Sequence, residues 1–273
     1  MDLFEGLEAF GIECVDKSEI YEAEKKTAVK ETTPAGVDIN RIILKRTFPC
    51  PVCRESFTNW DVFLHKVRLD KTDQELRKYF TPFDPLYYAA IICSSCGYSA
   101  LRNSFDKITP KQIKLIKEHI TPRFKFKEYP QVYTVDMAIE RYKLVLYNCV
   151  TKEAPASEKA LVCHRLSWLF KDKEDKENEK IFRENALKGF VFAYTNERLP
   201  IAGMEAQTLE YLIGELYRRS GNLEEAVRYI SMAIMQPRGA SAKIKTLAID
   251  AKELILQERA AAGAQSAGEA KPE

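Results

Sequence analysis

The spacing of apolar residues divides the chain into an extended first part and a helical second part. β-Branched and apolar residues predict a strand over 42–48, and 56–58 returns beside it as a partner. A buried strand is predicted over 87–92, with 99–101 leading away from it. From residue 134 onward, apolar positions recur at helical spacing. This pattern predicts six helices, at 134–149, 158–171, 177–196, 204–220, 223–235 and 241–260.

The segment between the two strand pairs is predicted to form an inserted lobe. Residues 60–69 are expected to continue in extended form. Thr72 has Glu75 three residues after it, which is the arrangement of a capping box, so we expect a helix to begin there and to end before Pro82. A further helix is predicted after Pro110, where isoleucines recur at helical spacing.

Four of the seven cysteines form two Cys-x-x-Cys pairs, Cys50 with Cys53 and Cys93 with Cys96. Each pair can present two thiolates from a tight turn, and four sulfurs complete the tetrahedral coordination of a structural Zn²⁺. The alternatives are a redox pair of the thioredoxin kind and four unrelated buried thiols. Because two matched pairs are far more specific than one, we predict a structural zinc site with these four ligands.

The two cysteine turns differ in the residue that follows the second cysteine. Gly97 can adopt the positive φ that such a turn requires. Arg54 stands at the corresponding place of the first turn, which makes that turn less typical. The 39 residues between the two pairs exceed the spacing of about 15–20 in a simple zinc ribbon, which is why an inserted lobe is needed.

No histidine is needed to complete the site, and no catalytic or cofactor-binding residue is predicted. His65, His119 and His164 are treated as surface or core residues, because none has a partner positioned for acid–base chemistry. The chain also lacks a glycine loop that would cradle phosphate and a His-Glu-x-x-His motif. We therefore expect a protein that is not an enzyme.

Charge is distributed unevenly along the chain, although the whole carries a net charge of only +2. Residues 1–40 hold 4 Lys or Arg against 10 Asp or Glu, whereas 41–130 hold 17 against 9. The start is acidic, and no stretch approaches the roughly 18 apolar residues of a membrane span. We expect a cytoplasmic protein without membrane contact, whose thiols are in a reducing compartment.

These signals together predict an α+β chain with a small zinc-ribbon-like, β-rich N-terminal lobe followed by an all-α array. Residues 1–40 begin with apolar residues at near-helical spacing and continue as a charged run, which predicts a short helix and an acidic arm. A zinc-knuckle domain is predicted at 41–130 and a helical domain at 131–260. The small, polar residues 261–273 are predicted to be a disordered tail.

Several spaced motifs in the N-terminal lobe resemble the bacterial family known as domain of unknown function 2225. The motifs are Cys50-Pro51-Val52-Cys53, Val67-Arg68-Leu69, Asp84-Pro85-Leu86-Tyr87-Tyr88 and the segment 93–100. Asp84 stands in place of an asparagine, and Ser94-Ser95 in place of a pair that contains proline, but neither change touches the cysteines. The resemblance, over roughly residues 45–200, implies a cysteine-ligated metal domain joined to helices that look like tetratricopeptide repeats. It implies no activity.

Residues 210–237 are similar to a tetratricopeptide repeat, a pair of antiparallel helices that stacks on its neighbours. The signature residues are Gly214, Tyr217, Gly221, Asn222, Ala226, Ile230 and Ala233. A weaker copy lies upstream, with Ala186, Phe190 and Ala193 on its second helix. These copies predict a stack of helical hairpins, and the alternative is a generic amphipathic bundle.

Stacked helical hairpins form a groove that binds extended or helical peptides. We therefore expect a non-enzymatic adaptor in which zinc stabilises the N-terminal lobe and the helical array binds a protein or peptide partner. Tyr211, Arg218 and Arg219 are candidate groove residues. The alternative is a zinc-ribbon protein that binds nucleic acid through the basic segment 41–130. Its aromatic residues would supply stacking, and they are Tyr79, Phe80, Tyr87 and Tyr88.

Overall fold

The computed structural model describes residues 38–236 and 241–269. Within these ranges the fold is α+β, with short strand pairs followed by seven helices, which confirms the predicted fold class. The short helix and most of the acidic arm predicted at the start of the chain lie outside the described residues. None of the described helices is both long enough and apolar enough to cross a membrane.

The six strands form three separate antiparallel pairs, and each pair joins two strands that follow one another along the chain. The six strands are β1 Ile43–Pro49, β2 Ser56–Val62, β3 Arg68–Thr72, β4 Lys78–Thr81, β5 Ala90–Ile92 and β6 Ser99–Leu101. The β1–β2 pair places Pro49 opposite Ser56, and the β5–β6 pair places Ile92 opposite Ser99. Both pairs therefore close at a cysteine turn, as the sequence predicts.

The described helices begin close to their predicted positions, and all but the last also end close to them. They are α1 Pro110–His119, α2 Val135–Thr151, α3 Ala156–Asp172, α4 Lys176–Asn196, α5 Ala206–Arg219, α6 Leu223–Met235 and α7 Ala242–Glu269. Side-chain caps explain several starts: Thr109, Thr134, Asp175 and Asn222 each accept a hydrogen bond from a backbone N–H of the first turn.

The end of the last helix differs from the prediction. Helix α7 continues to Glu269, whereas the sequence predicts an end at residue 260 and a disordered tail over 261–273. Residues 260–264 are rich in alanine, the residue with the highest helix propensity, so the helix continues past the last regular apolar position. Residues 270–273 lie outside the described part of the chain.

The helix predicted to begin at Thr72 is wrong, because the chain forms the β3–β4 hairpin there. Asp73 is responsible for this local choice: its Oδ1 accepts hydrogen bonds from the backbone N–H groups of Glu75 and Arg77, both at 3.0 Å. Such a side chain closes a turn instead of starting a helix. The Glu75 carboxylate, which a capping box would direct back to the backbone, points towards α3 and α5.

Two other extended predictions in this lobe are shortened by 3₁₀ turns. Strand β2 ends at Val62, and a turn at Leu64–Lys66 interrupts the segment predicted to be extended over 60–69. The strand predicted over 87–92 begins only at Ala90, because Pro85–Tyr88 forms a 3₁₀ turn. Asp84 caps this turn, since its Oδ1 accepts a hydrogen bond from the backbone N–H of Leu86 at 2.9 Å.

Helices α3–α6 form two antiparallel hairpins, α3 with α4 and α5 with α6. Glycine permits a close approach in each hairpin. A Cβ atom at Gly189 would lie 2.8 Å from the Cβ of Ala160, and one at Gly214 would lie 2.6 Å from Cγ1 of Ile230. Small residues are therefore required where the helices cross, as the repeat signature predicts for Gly214.

The N-terminal lobe and the helices share part of their core. Ala90 of β5 and Leu101 of β6 are fully buried in the main helical cluster, beside residues of α2 such as Tyr142. A second buried cluster contains Cys50, Cys93 and Cys96 together with aromatic residues and isoleucines of α1. Helix α2 thus supports the strand pair that carries the second cysteine turn.

Candidate metal centre

The first cysteine turn is held by two backbone hydrogen bonds. The N–H of Cys50 donates to the carbonyl of Glu55 at 2.9 Å, which closes the β1–β2 hairpin. The N–H of Arg54 donates to the carbonyl of Cys50 at 3.0 Å, which folds the chain tightly between the two cysteines. Both thiols of the pair therefore point to the same side of the turn.

The second turn repeats this arrangement. The N–H of Cys93 donates to the carbonyl of Tyr98 at 2.9 Å, and the N–H of Gly97 donates to the carbonyl of Cys93 at 3.1 Å. Gly97 has φ = +74°, and Arg54 of the first turn has φ = +71°. Arg54 thus adopts the left-handed conformation that glycine adopts in the second turn, so the two turns share one backbone form, and the first remains the less typical in its residue.

The four sulfur atoms lie together, all within 4.8 Å of one another. Sγ of Cys50 is 3.6 Å from Sγ of Cys96, and Sγ of Cys53 is 3.6 Å from Sγ of Cys93. These separations exclude disulfides, whose sulfurs are about 2.05 Å apart. Four sulfurs placed tetrahedrally at about 2.3 Å from a zinc ion would be about 3.8 Å apart. The cluster therefore fits a metal ion of this size and preference.

Hydrogen bonds among Cys50, Cys93 and Cys96 link the ionisation of these three thiols. Hydrogen bonds from the Cys50 and Cys96 thiols lower the pKa of Cys93. The hydrogen bond with Cys93 raises the pKa of Cys50, and burial adds to that rise. The group thus loses one proton readily and resists further ionisation, because a second thiolate would lie beside the first. A divalent cation removes this resistance, which couples metal binding to proton release.

The cluster is enclosed by apolar side chains and by the segment after α1. Cys50, Cys93 and Cys96 are buried, and Cys53 is half-buried. Phe124 covers the second turn so closely that a Cβ at Gly97 would lie 2.4 Å from its Cγ. Among the described residues, these cysteines are the one group of three or more His, Cys, Asp or Glu side chains whose ligand atoms are close enough to hold a metal ion.

The three histidines lie away from the cluster. His65 and His119 are exposed, at the 3₁₀ turn after β2 and at the end of α1. His164 is buried on α3, where its Nε2 is 3.7 Å from Oε2 of Glu75. This carboxylate also accepts a hydrogen bond from Nε1 of Trp168 at 2.8 Å. The contact between Glu75 and Trp168 is not predicted from the sequence, because the two residues are 93 positions apart.

The candidate groove residues contact the chain's own β3–β4 turn. Tyr211 donates a hydrogen bond from its hydroxyl to the carbonyl of Gln74 at 2.8 Å, and Nε of Arg219 lies 3.0 Å from Oε1 of Glu75. Arg218 donates to Oε1 of the Gln74 side chain at 3.3 Å. The open groove expected at these three positions is therefore filled by another part of the molecule.

The aromatic residues offered for nucleic-acid stacking are engaged elsewhere. Tyr88 is buried and stacks on Tyr133 with ring centroids 4.4 Å apart. The Tyr87 hydroxyl donates to Asp172 at 3.2 Å. The Tyr79 hydroxyl donates to Asp73 at 3.1 Å. These three residues thus have partners within the chain, and Phe80, the fourth, is half-buried.

An open apolar groove lies instead on the outer side of the helical hairpins, and we call it the α4 groove. It has a volume of about 650 Å³ and lies between α4 and the α5–α6 turn. Leu187, Val191 and Phe192 of α4 line it together with Tyr217 of α5. The Phe192 side chain, near the end of α4, is 58% exposed, a large fraction for an aromatic residue.

Comparison with known proteins gives one match. A family model described as an uncharacterized protein conserved in bacteria (DUF2225) matches residues 43–255, which include all four cysteines and every described helix up to most of α7. No curated protein and no solved structure matches the chain.

Proposed function

Because the chain belongs to the DUF2225 family of uncharacterized bacterial proteins, we propose its function from its own geometry. We propose a non-enzymatic scaffold in which Zn²⁺ holds the N-terminal lobe together and the helical hairpins bind a protein partner. The observation that supports this most directly is the cluster of four sulfurs within 4.8 Å of one another, with the helices packed on the same lobe.

The donor set favours zinc in a structural role. Four thiolates in a tetrahedral arrangement are typical of zinc or of iron–sulfur sites, and the closely spaced pairs suit a single ion. Three of the four cysteines are buried. A closed set of four protein ligands leaves no coordination position for water or substrate, which supports a stabilising ion and argues against a catalytic one.

The α4 groove supports the partner-binding part of the proposal. Most of its surface is apolar, although charged and polar residues such as Glu184 and Lys188 also line it, and it is open to solvent and exposes the ring of Phe192. A partner side chain placed there would remove this apolar surface from water, at about 25 cal/mol for each Å² buried. We do not propose nucleic-acid binding, because three of the four aromatic residues named for it, Tyr79, Tyr87 and Tyr88, have partners within the chain.

Partner capture with two matched substitutions tests this proposal. The tagged full chain and its Phe192→Glu variant would be used to recover proteins from a bacterial lysate, followed by identification by mass spectrometry. Val150→Glu is the control, because Val150 is also an exposed apolar residue in a helix (51% exposed) but does not line the α4 groove. We expect a specific protein to be recovered with the wild type and the control and to be lost with Phe192→Glu. Equal recovery with all three chains would contradict the proposal.

A further inference from the structure

The β3–β4 turn, residues 73–77, is seated on a face made by two helices from different hairpins. We call this the α3–α5 face. It consists of His164, Trp168 and Asp172 from α3, and of Tyr211, Arg218 and Arg219 from α5. All six residues contact the turn directly. A segment of β-structure thus occupies the face that two stacked helical hairpins present.

Arg77 is the deepest charged contact of the turn. Its side chain is 2% exposed. Nη1 donates to Oδ1 of Asp172 at 2.8 Å and Nη2 donates to Oδ2 at 2.5 Å, so the guanidinium and the carboxylate form a bidentate pair. Nη1 also donates to the carbonyl of Trp168 at 3.0 Å. These contacts recognise both the charge and the planar shape of an arginine.

Glu75 is recognised two residues earlier. Its side chain is also 2% exposed, and Oε2 accepts a hydrogen bond from Nε1 of Trp168. Arg219 lies 3.0 Å from Oε1, but outside hydrogen-bonding geometry, and Nε2 of His164 has no hydrogen-bond partner. Beside this carboxylate, Nε2 of His164 thus stays without a hydrogen bond, while Nε of Arg219 donates to Oε1 of Glu215 at 2.9 Å.

The turn is organised before it reaches the face. Asp73 accepts hydrogen bonds from two backbone N–H groups of the turn, and Leu76 has φ = +63°. Because these contacts lie within residues 73–77, the turn presents Glu75 and Arg77 in a fixed arrangement. This is how a preorganised peptide ligand is presented to a binding site.

We propose that the α3–α5 face is a recognition site for a protein turn that carries Glu-x-Arg. In this structure the chain's own β3–β4 turn fills the site, and a partner with the same pair of charges binds by displacing it. Displacement leaves Asp172 without a guanidinium and the indole N–H of Trp168 without a carboxylate, whereas Arg219 keeps its ion pair with Glu215. Unpaired polar groups at a partly buried site are costly. The site thus selects a partner that supplies both a carboxylate and a guanidinium.

This inference rests on the proposed partner-binding role of the helices, but it assigns a surface different from the α4 groove. Its test therefore uses a defined peptide and needs no captured partner. The probe is a fluorescent synthetic peptide with the sequence of residues 68–81. It would be titrated, with fluorescence anisotropy as the readout, into the zinc-loaded full chain and into the double variant Glu75→Ala, Arg77→Ala.

We expect the peptide to bind the double variant about tenfold or more tightly than the wild type. In the wild type, the tethered turn competes at an effective concentration on the order of millimolar. Binding should be lost when Asp172→Ala is added to the double variant. It should also be lost when Glu75 and Arg77 are replaced by alanine in the peptide. Absence of peptide binding to a double variant that keeps its helical circular dichroism and its metal would overturn the proposal.

Hydrogen exchange of the wild type is an independent test of this proposal. It can be carried out even if the double variant does not fold. We expect the amides of residues 74–77 to exchange about tenfold or more faster than the buried amides of α2, because the turn opens without global unfolding. Equal exchange rates in the two regions would show that the turn is a permanent structural contact. That result would also overturn the proposal, while partner capture through the α4 groove would be unaffected.

Discussion

Arg54 and Gly97 occupy the same place in the two cysteine turns, with φ values of +71° and +74°. A non-glycine residue in the left-handed region costs about 1–2 kcal/mol, and a glycine loses an extra 0.5–1 kcal/mol of chain entropy on folding. Arg54 is exposed, so its replacement removes no buried contact. We therefore expect Arg54→Gly to raise the free energy of unfolding by about 0.5–1 kcal/mol, measured by urea denaturation of the metal-loaded protein.

The reverse change at the second turn is the matched comparison. Gly97→Ala adds a Cβ where Phe124 already lies, with contacts of 2.4–2.8 Å to three of its side-chain atoms. We expect this variant to be less stable than the wild type and Arg54→Gly to be more stable. A loss of stability in Arg54→Gly would show that the first turn does not experience the strain that its φ indicates.

Glu75 is the residue whose ionisation depends most clearly on tertiary contacts. Burial alone would raise its pKa, but the neighbouring His164, the charge of Arg219 and the Trp168 hydrogen bond together lower the pKa to about 2. The carboxylate is thus more acidic in the folded chain than in the unfolded chain, where its pKa is about 4.3. Its contribution to stability is complete above about pH 4.5 and is lost as the pH falls towards 2.

The corresponding prediction compares Glu75→Gln with the wild type across pH. We expect the wild type to be more stable by about 3 kcal/mol near pH 6, since each pKa unit corresponds to 1.36 kcal/mol, and the difference to disappear towards pH 2. Comparing the two proteins at each pH cancels the loss of metal in acid, which affects both. Glu224→Gln is the control, because Glu224 is an exposed residue of α6. A difference that does not change with pH would contradict the assignment.

At the scale of elements, the cysteine turns and the helices follow from local signals. A turn of four residues fixes where two thiols point, and a cap with apolar periodicity fixes where a helix begins. The β3–β4 hairpin does not follow from such signals. Thr72 and Glu75 are spaced as in a capping box, but the Asp73 turn and the seating of Glu75 on α3 stabilise the hairpin instead.

The metal prediction belongs to this scale, because the ion joins two hairpins that share no backbone pairing. We expect the protein purified without added metal to contain about one zinc per chain. Cys93→Ser should lose the metal and unfold the N-terminal lobe, measured by elemental analysis and by thermal unfolding, because folding and site formation are coupled. Cys163→Ser is the control, since Cys163 is a buried thiol outside the cluster. Full stability of a metal-free Cys93→Ser protein would contradict a structural ion.

At the scale of the whole molecule, the N-terminal lobe and α2 are joined by buried polar contacts as well as by a shared core. Arg141 of α2 is 2% exposed and donates to the side chain of Asn59 and to the carbonyl of Ala90, both at 2.8 Å. The side chain of Asn148 accepts from the backbone N–H of Ser99 at 3.0 Å. If the chain were divided between residues 130 and 131, these buried polar groups would lose their hydrogen-bond partners.

This arrangement leads to a prediction for fragments. We expect residues 1–130 alone to lose metal and to lack cooperative unfolding, because β5 and β6 lose the helix that covers them. Adding the separately produced fragment 131–273 should restore metal binding if the two parts reassemble. The measurements are zinc content per chain and denaturant unfolding, with the full chain as the reference. Cooperative unfolding of fragment 1–130 with one bound zinc would instead support the domain boundary that the sequence predicts.

The sequence by itself determined that the four cysteines form one cluster, and it determined the paired strands that carry them. It also determined six of the seven described helices to within a few residues. Each of these features depends mainly on neighbours along the chain. It did not determine how residues 72–77 fold or what fills the α3–α5 face. Those outcomes depend on partners 93 and 95 residues away, Trp168 for Glu75 and Asp172 for Arg77. Buried charges are stable only where such partners meet them, and only the tertiary structure brings them together.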